Sequence, residues 1–115
     1  MAYHHGDLRN ALIAAARDLL ADGPPGSVSI REVARRVGVS SNAPYRHFAD
    51  RDALLRAVAA NGYRAVAARL AKGRGSARVA EVWDDLCADE PGLAELMTAG
   101  LDPDGSDPEL RAAIG

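Results

Sequence analysis

Ser40, Ser41, Asn42, Tyr45, Arg46 and His47 place six hydrogen-bonding side chains within eight consecutive positions. The Asn42 amide offers one donor and one acceptor side by side, the pattern that pairs with an adenine edge. The hydroxyls of Ser40, Ser41 and Tyr45 and the imidazole of His47 suit single acceptors such as phosphate oxygens. Ser29, Arg31 and Arg51 flank the cluster and add a hydroxyl and two guanidinium groups. All of this is chemistry of holding, not of bond-making. The sequence has no Gly-rich phosphate loop and no supported Ser/His/Asp arrangement. His4 and His5 are not completed by Cys, Asp or Glu at a ligand spacing. No enzyme, cofactor or metal centre is therefore expected. The single Cys87 cannot form an internal disulfide, which points to a reducing cytoplasm and a half-buried thiol.

The rest of the composition says what can carry such a cluster. Hydrophobic residues make up 48% of the 115 positions but aromatic residues only 4%, so a core must be built from Ala, Leu and Val. That mixture favours helix, and no alternating apolar run is long enough for a sheet. No apolar run approaches the roughly 20 residues of a membrane span, and no signal sequence is visible. Charge is divided unevenly. Residues 1–72 hold eleven Arg or Lys against six Asp or Glu, a net of +5, and residues 73–115 a net of −7. A basic front half can approach a polyanion that the acidic rear half repels.

The spacing predicts four helices in the front half. The first runs from Asp7 to Asp22, with Leu8, Leu12, Ile13, Ala16, Leu19 and Leu20 on one stripe and Asp7 as cap or first-turn acid. Gly23-Pro24-Pro25-Gly26 ends it. The second covers Ile30 to Val37, opened by a capping box in which Ser29 accepts from the first turn and Glu32 reaches back. Ile30, Val33, Ala34 and Val37 form its buried face; Arg31, Arg35 and Arg36 lie outside. Gly38 breaks it in a left-handed conformation. The third opens at Ser40 or Ser41 and ends near Phe48. At the α-helical pitch, Ser41, Tyr45 and Phe48 share one side, while Asn42, Ala43 and Arg46 fall away from it. Pro44 fits this helix poorly and is tolerable only in its first turn. The fourth is capped by Asp50 and runs to Lys72, with Leu54, Leu55, Val58, Val66 and Leu70 inward. After the linker Gly73-Arg-Gly-Ser76, Ala77 to Asp89 and Pro91 to Ala99 read as helices. A turn-rich stretch from Leu101 to Asp107 precedes the start of another at Pro108 to Ile114.

Two short helices joined at Val37-Gly38-Val39-Ser40 form a helix-turn-helix pattern, whose second helix enters the major groove while the first crosses the backbone. The stretch from Ser29 to Leu55 resembles the DNA-binding domain of the TetR family of bacterial transcriptional regulators. Gly38-Val39-Ser40, then Tyr45, His47-Phe48, Arg51 and Leu54-Leu55 carry the likeness. Residues 3 to about 70 share it, and Trp83 to Met97 resemble the start of the family's regulatory domain loosely.

The resemblance implies an all-α chain. Residues 1–50 are expected to be the DNA-binding domain, and 51–115 the linking helix and part of a helical regulatory domain. It implies base contacts by Arg31, Ser41, Asn42, Ala43 and Arg46, and phosphate contacts by Ser29, Ser40, Tyr45, His47 and Arg51. The expected partners are a double-stranded DNA operator and a small-molecule effector. The expected action is repression by a homodimer on a pseudo-palindromic site. Trp83, Leu86, Leu93, Leu96 and Met97 fit either an effector pocket or plain core. Tyr45 fits a core edge as well as a phosphate, and His47 fits a helix C-terminus. Asn42-Ala43-Pro44 departs from the small-Gly/Thr-Leu pattern common before the tyrosine, so operator preference does not transfer. The family's regulatory domain is usually much longer than the 43 residues after Lys72, so its usual dimer helices are expected to be missing from this stretch. A small helical protein-interaction module and a DNA-binding activator are the alternatives.

Overall fold

A computed structural model describes residues 7–72, 76–100 and 107–114. His4 and His5, most of the linker at 73–76 and most of the turn-rich stretch at 101–107 lie outside the described residues. Six α-helices follow in order: α1 (Leu8–Asp22), α2 (Ile30–Val37), α3 (Arg51–Leu70), α4 (Ser76–Asp89), α5 (Pro91–Met97) and α6 (Pro108–Ile114). Two single 3-10 turns, Pro25–Ser27 and Ala43–Arg46, complete the secondary structure, and no strand occurs among the described residues.

The front half folds as its apolar pattern dictates. Leu8, Leu12, Ile13, Ala16 and Leu20 are buried along α1, joined by Ala15. Leu19 is only half-buried. All four residues on the inner face of α2 are buried. The Ser29 hydroxyl accepts from the Glu32 N–H at 3.1 Å, closing the first turn of α2. The reciprocal half of the expected capping box is not formed, because the Glu32 carboxylate accepts from Arg35 instead. That neighbour holds the Glu32 carboxyl below its ordinary range. Gly38 ends α2 at φ +89°. Its N–H donates to the Ala34 carbonyl at 2.9 Å, and a Cβ there would meet nothing, so backbone conformation alone selects glycine. Asp50 caps α3 by accepting from the Ala53 N–H at 2.8 Å. Asp7, by contrast, precedes α1 without a side-chain capping bond.

The core is one cluster running from α1 and α2 through α3 to α5 and α6. Helix α3 lies at its centre and packs against α1, α4, α5 and α6. It is therefore buried on more sides than its leucine stripe predicts, including Ala57, Ala59, Ala60 and Gly62. Close backbone approach fastens α5 to α1: a Cβ on Gly92 would lie 2.3 Å from the Leu20 carbonyl oxygen. One side chain ties three elements. The Arg17 guanidinium donates to both carboxylate oxygens of Glu90 at 2.8 and 2.7 Å and to Asn61 at 2.8 Å. Among the described residues no helix is long and apolar enough to cross a membrane.

Candidate nucleic-acid interface

The segment after Gly38 differs from the expected helix. No α-helix spans Ser40 to Phe48; a turn at Ser41-Asn42 leads into the 3-10 turn Ala43–Arg46. Pro44 explains the change. It has no N–H to donate to Ser40, and its ring would crowd that carbonyl in an α-helix. The Ser40 carbonyl accepts instead from Ala43 at 3.0 Å, Asn42 from Tyr45 at 3.2 Å and Pro44 from His47 at 3.0 Å. Each bond spans three residues, which is the 3-10 pattern. Pro44 itself is buried, anchoring the turn in the core together with Phe48, which is 3% exposed.

The tighter pitch redistributes the side chains. Ser41 and Tyr45 do not share the buried side of Phe48: Ser41 is exposed, as a base contact requires, and Tyr45 is 52% exposed. Ala43, expected to face outward, is half-buried against the core. Ser29, Ser40, Asn42, Arg46 and His47 are exposed. The rings of His47 and Phe48 meet tilted, with centroids 6.4 Å apart.

Arginine partners divide the basic groups further. Arg9 pairs with Glu109 and sits 5.3 Å from the centroid of the Phe48 ring. Arg17 pairs with Glu90, Arg35 with Glu32, and Arg36 with Asp22 at 3.2 Å. Arg51 donates from Nε to the Val28 carbonyl at 2.6 Å and from Nη2 to the Pro25 carbonyl. Its remaining nitrogen stands 4.0 Å from Asp52. Arg31 and Arg46 are exposed and hold no carboxylate among the described residues. Sequence pattern gave no means of separating these two from the other four arginines before α3, because the partners of Arg9 and Arg17 come from distant positions.

Residues 12–58 match the family described as bacterial regulatory proteins, tetR family. Those residues form a helix-turn-helix domain of the TetR type. The match begins inside α1, spans α2 and the 3-10 turn, and ends in the first half of α3. No curated protein and no solved structure matches the chain. The matched family is one of DNA-binding transcriptional regulators, and the exposed 3-10 turn lies within the matched residues.

The candidate effector residues sit elsewhere. Leu86, Leu93, Leu96 and Met97 are buried and Trp83 is half-buried. The Tyr63 hydroxyl donates to the Met97 carbonyl at 2.7 Å. Concavities of about 400 and 350 Å³ open on the described surface, between α1 and α5 and between α1 and α2. Neither is lined by Trp83, Leu86, Leu93, Leu96 or Met97. Cys87 is exposed on α4, not half-buried.

Proposed function

We propose that the chain binds duplex DNA sequence-specifically by seating the recognition turn in the major groove. Residues 1–50 hold the DNA, and residues 51–115 supply the linking helix and part of a helical regulatory domain. Ser41 and Asn42 meet base edges, with Arg31 beside them. Ser29, Ser40, Tyr45 and His47 hold phosphates. The observation that supports this best is the pair of uncommitted, exposed arginines, Arg31 and Arg46, flanking exposed Ser40, Ser41, Asn42, Tyr45 and His47. With no carboxylate among the described residues holding them, both guanidinium groups remain available to phosphate or base acceptors.

The regulatory action we propose is repression in the cytoplasm by a homodimer on a pseudo-palindromic operator, released by a small-molecule effector. One recognition turn reads too few base pairs to select a site in a genome, whereas two related by a two-fold axis double the reading. The apolar residues Trp83, Leu86, Leu93, Leu96 and Met97 are the candidates to open around an effector. A gel shift on mixed duplex DNA over a salt series tests the DNA reading. Affinity should fall steeply with salt, by a log–log slope of roughly −0.9 for each neutralised phosphate. Binding indifferent to salt, or none, overturns it and favours a helical protein-interaction module.

A further inference from the structure

Pro44 stands in the middle of the DNA-reading segment, yet its side chain is buried and cannot touch DNA. Its effect is on geometry. In an α-helix Asn42 and Arg46 would lie about 40° apart around the axis, on one face. On the 3-10 pitch that Ala43–Arg46 follow, they would lie about 120° apart instead. The hydrogen bonds from Ala43 to Ser40, Tyr45 to Asn42 and His47 to Pro44 fix this arrangement. Ala43 packs partly against the core, while Asn42 and Arg46 are both exposed.

We infer that Pro44 is a positioning residue for DNA specificity, which turns Arg46 off the base-reading face shared by Asn42 and onto the phosphate backbone. The inference rests on the reading that this turn enters the major groove. It reassigns Arg46, whose guanidinium would otherwise suit the O6 and N7 of a guanine. Removing the proline permits an α-helical turn, which brings Arg46 round beside Asn42 and adds a guanine to the preferred site.

Selection from a random duplex pool tests this with the 115-residue chain and three variants. Arg46→Ala, an exposed change that leaves the fold intact, should weaken all sequences alike and reduce the salt slope by about one phosphate. Pro44→Leu keeps apolar volume in the buried site. It should select a new motif with about tenfold preference for guanine at one position, as one bidentate arginine contact provides. The double variant Pro44→Leu, Arg46→Ala should lose that preference. Thermal melting accompanies each measurement, and Pro44→Ala replaces Pro44→Leu if the larger side chain does not fit. Two results overturn the inference: a base preference at one position lost by Arg46→Ala alone, or an unchanged motif in a folded Pro44 variant. Neither touches the DNA reading itself, which fails only if the unaltered chain does not bind duplex DNA.

Discussion

Arg46 and Arg51 are close in sequence and opposite in circumstance. Arg46 is exposed and uncommitted, while two of the three guanidinium nitrogens of Arg51 hold the carbonyls of Val28 and Pro25. Sequence pattern alone treats both as DNA contacts, because it shows charge and not the carbonyls that a fold turns toward it. Arg51→Ala should therefore act on stability before affinity. Two part-buried carbonyls lose a charged donor, at a cost of about 1.5–3 kcal/mol, read by denaturant unfolding. The salt slope of DNA binding should stay unchanged, and a slope reduced by a full phosphate would return Arg51 to the backbone contacts. Asn42 and Tyr45 separate reading from holding. Asn42→Ala should alter preference at one base pair by about 1–3 kcal/mol and leave the others. Tyr45→Phe should weaken all sequences by about 0.5–1.5 kcal/mol, the net value of one hydrogen bond. Competition among single-base operator variants checks both.

Element boundaries were legible wherever a cap or a glycine set them. Ser29, Gly38 and Asp50 each form the local bond that their residue type suggests. The recognition segment is legible as a site, but an α-helical pitch of 100° per residue does not describe residues that Pro44 holds in a 3-10 turn. At that step Ala43 faces outward, whereas the structure leaves it half-buried. The crossing of α5 over the end of α1 was not legible at all: nothing local to Gly92 announces that the Leu20 carbonyl will lie against it. Two pairs of variants follow at this scale. Ser29→Ala should cost about 1 kcal/mol through the lost cap, whereas Ser40→Ala, whose backbone carbonyl rather than its hydroxyl supports the turn, should cost much less. Gly92→Ala should destabilise far more than Gly62→Ala. The added methyl meets backbone at 2.3 Å in the first case and the movable Met97 Sδ at 2.8 Å in the second. Chemical denaturation midpoints at constant m rank all four.

Over the whole molecule, ion pairs join the basic front to the acidic rear. Arg17 to Glu90, Arg56 to Asp107 at 2.9 Å and Arg69 to Asp85 at 2.9 Å all cross that division. The charge asymmetry visible in the sequence is thus partly neutralised within the fold, which the sums alone did not reveal. Hydrogen bonds from Arg17 hold the Glu90 carboxyl below its ordinary 4.5, and the Leu110 N–H followed by Arg56 hold Asp107 below its ordinary 3.8. Both carboxylates bind their protons less readily folded than unfolded. Their contribution to stability is complete above the ordinary values and is lost as pH falls through the lower folded values. Glu90→Gln should remove about 1 kcal/mol at neutral pH, because the pair is partly exposed, and should flatten the acid limb of a stability–pH curve. An equally steep limb in the variant would assign acid sensitivity to other groups. Self-association is set by a different surface property. Tyr45 and Val79 are the large apolar side chains exposed among the described residues, 52% and 53%, and they do not form a broad apolar face. Tight protein–protein association needs a contiguous desolvated core of several such residues. The 115-residue polypeptide should therefore sediment as a monomer at micromolar concentration, and a second copy should join on a pseudo-palindromic duplex, where the DNA brings the two together. Sedimentation velocity over a concentration series, with and without duplex, checks this. A dimer that persists on dilution without DNA would place a self-association surface where the described residues show none.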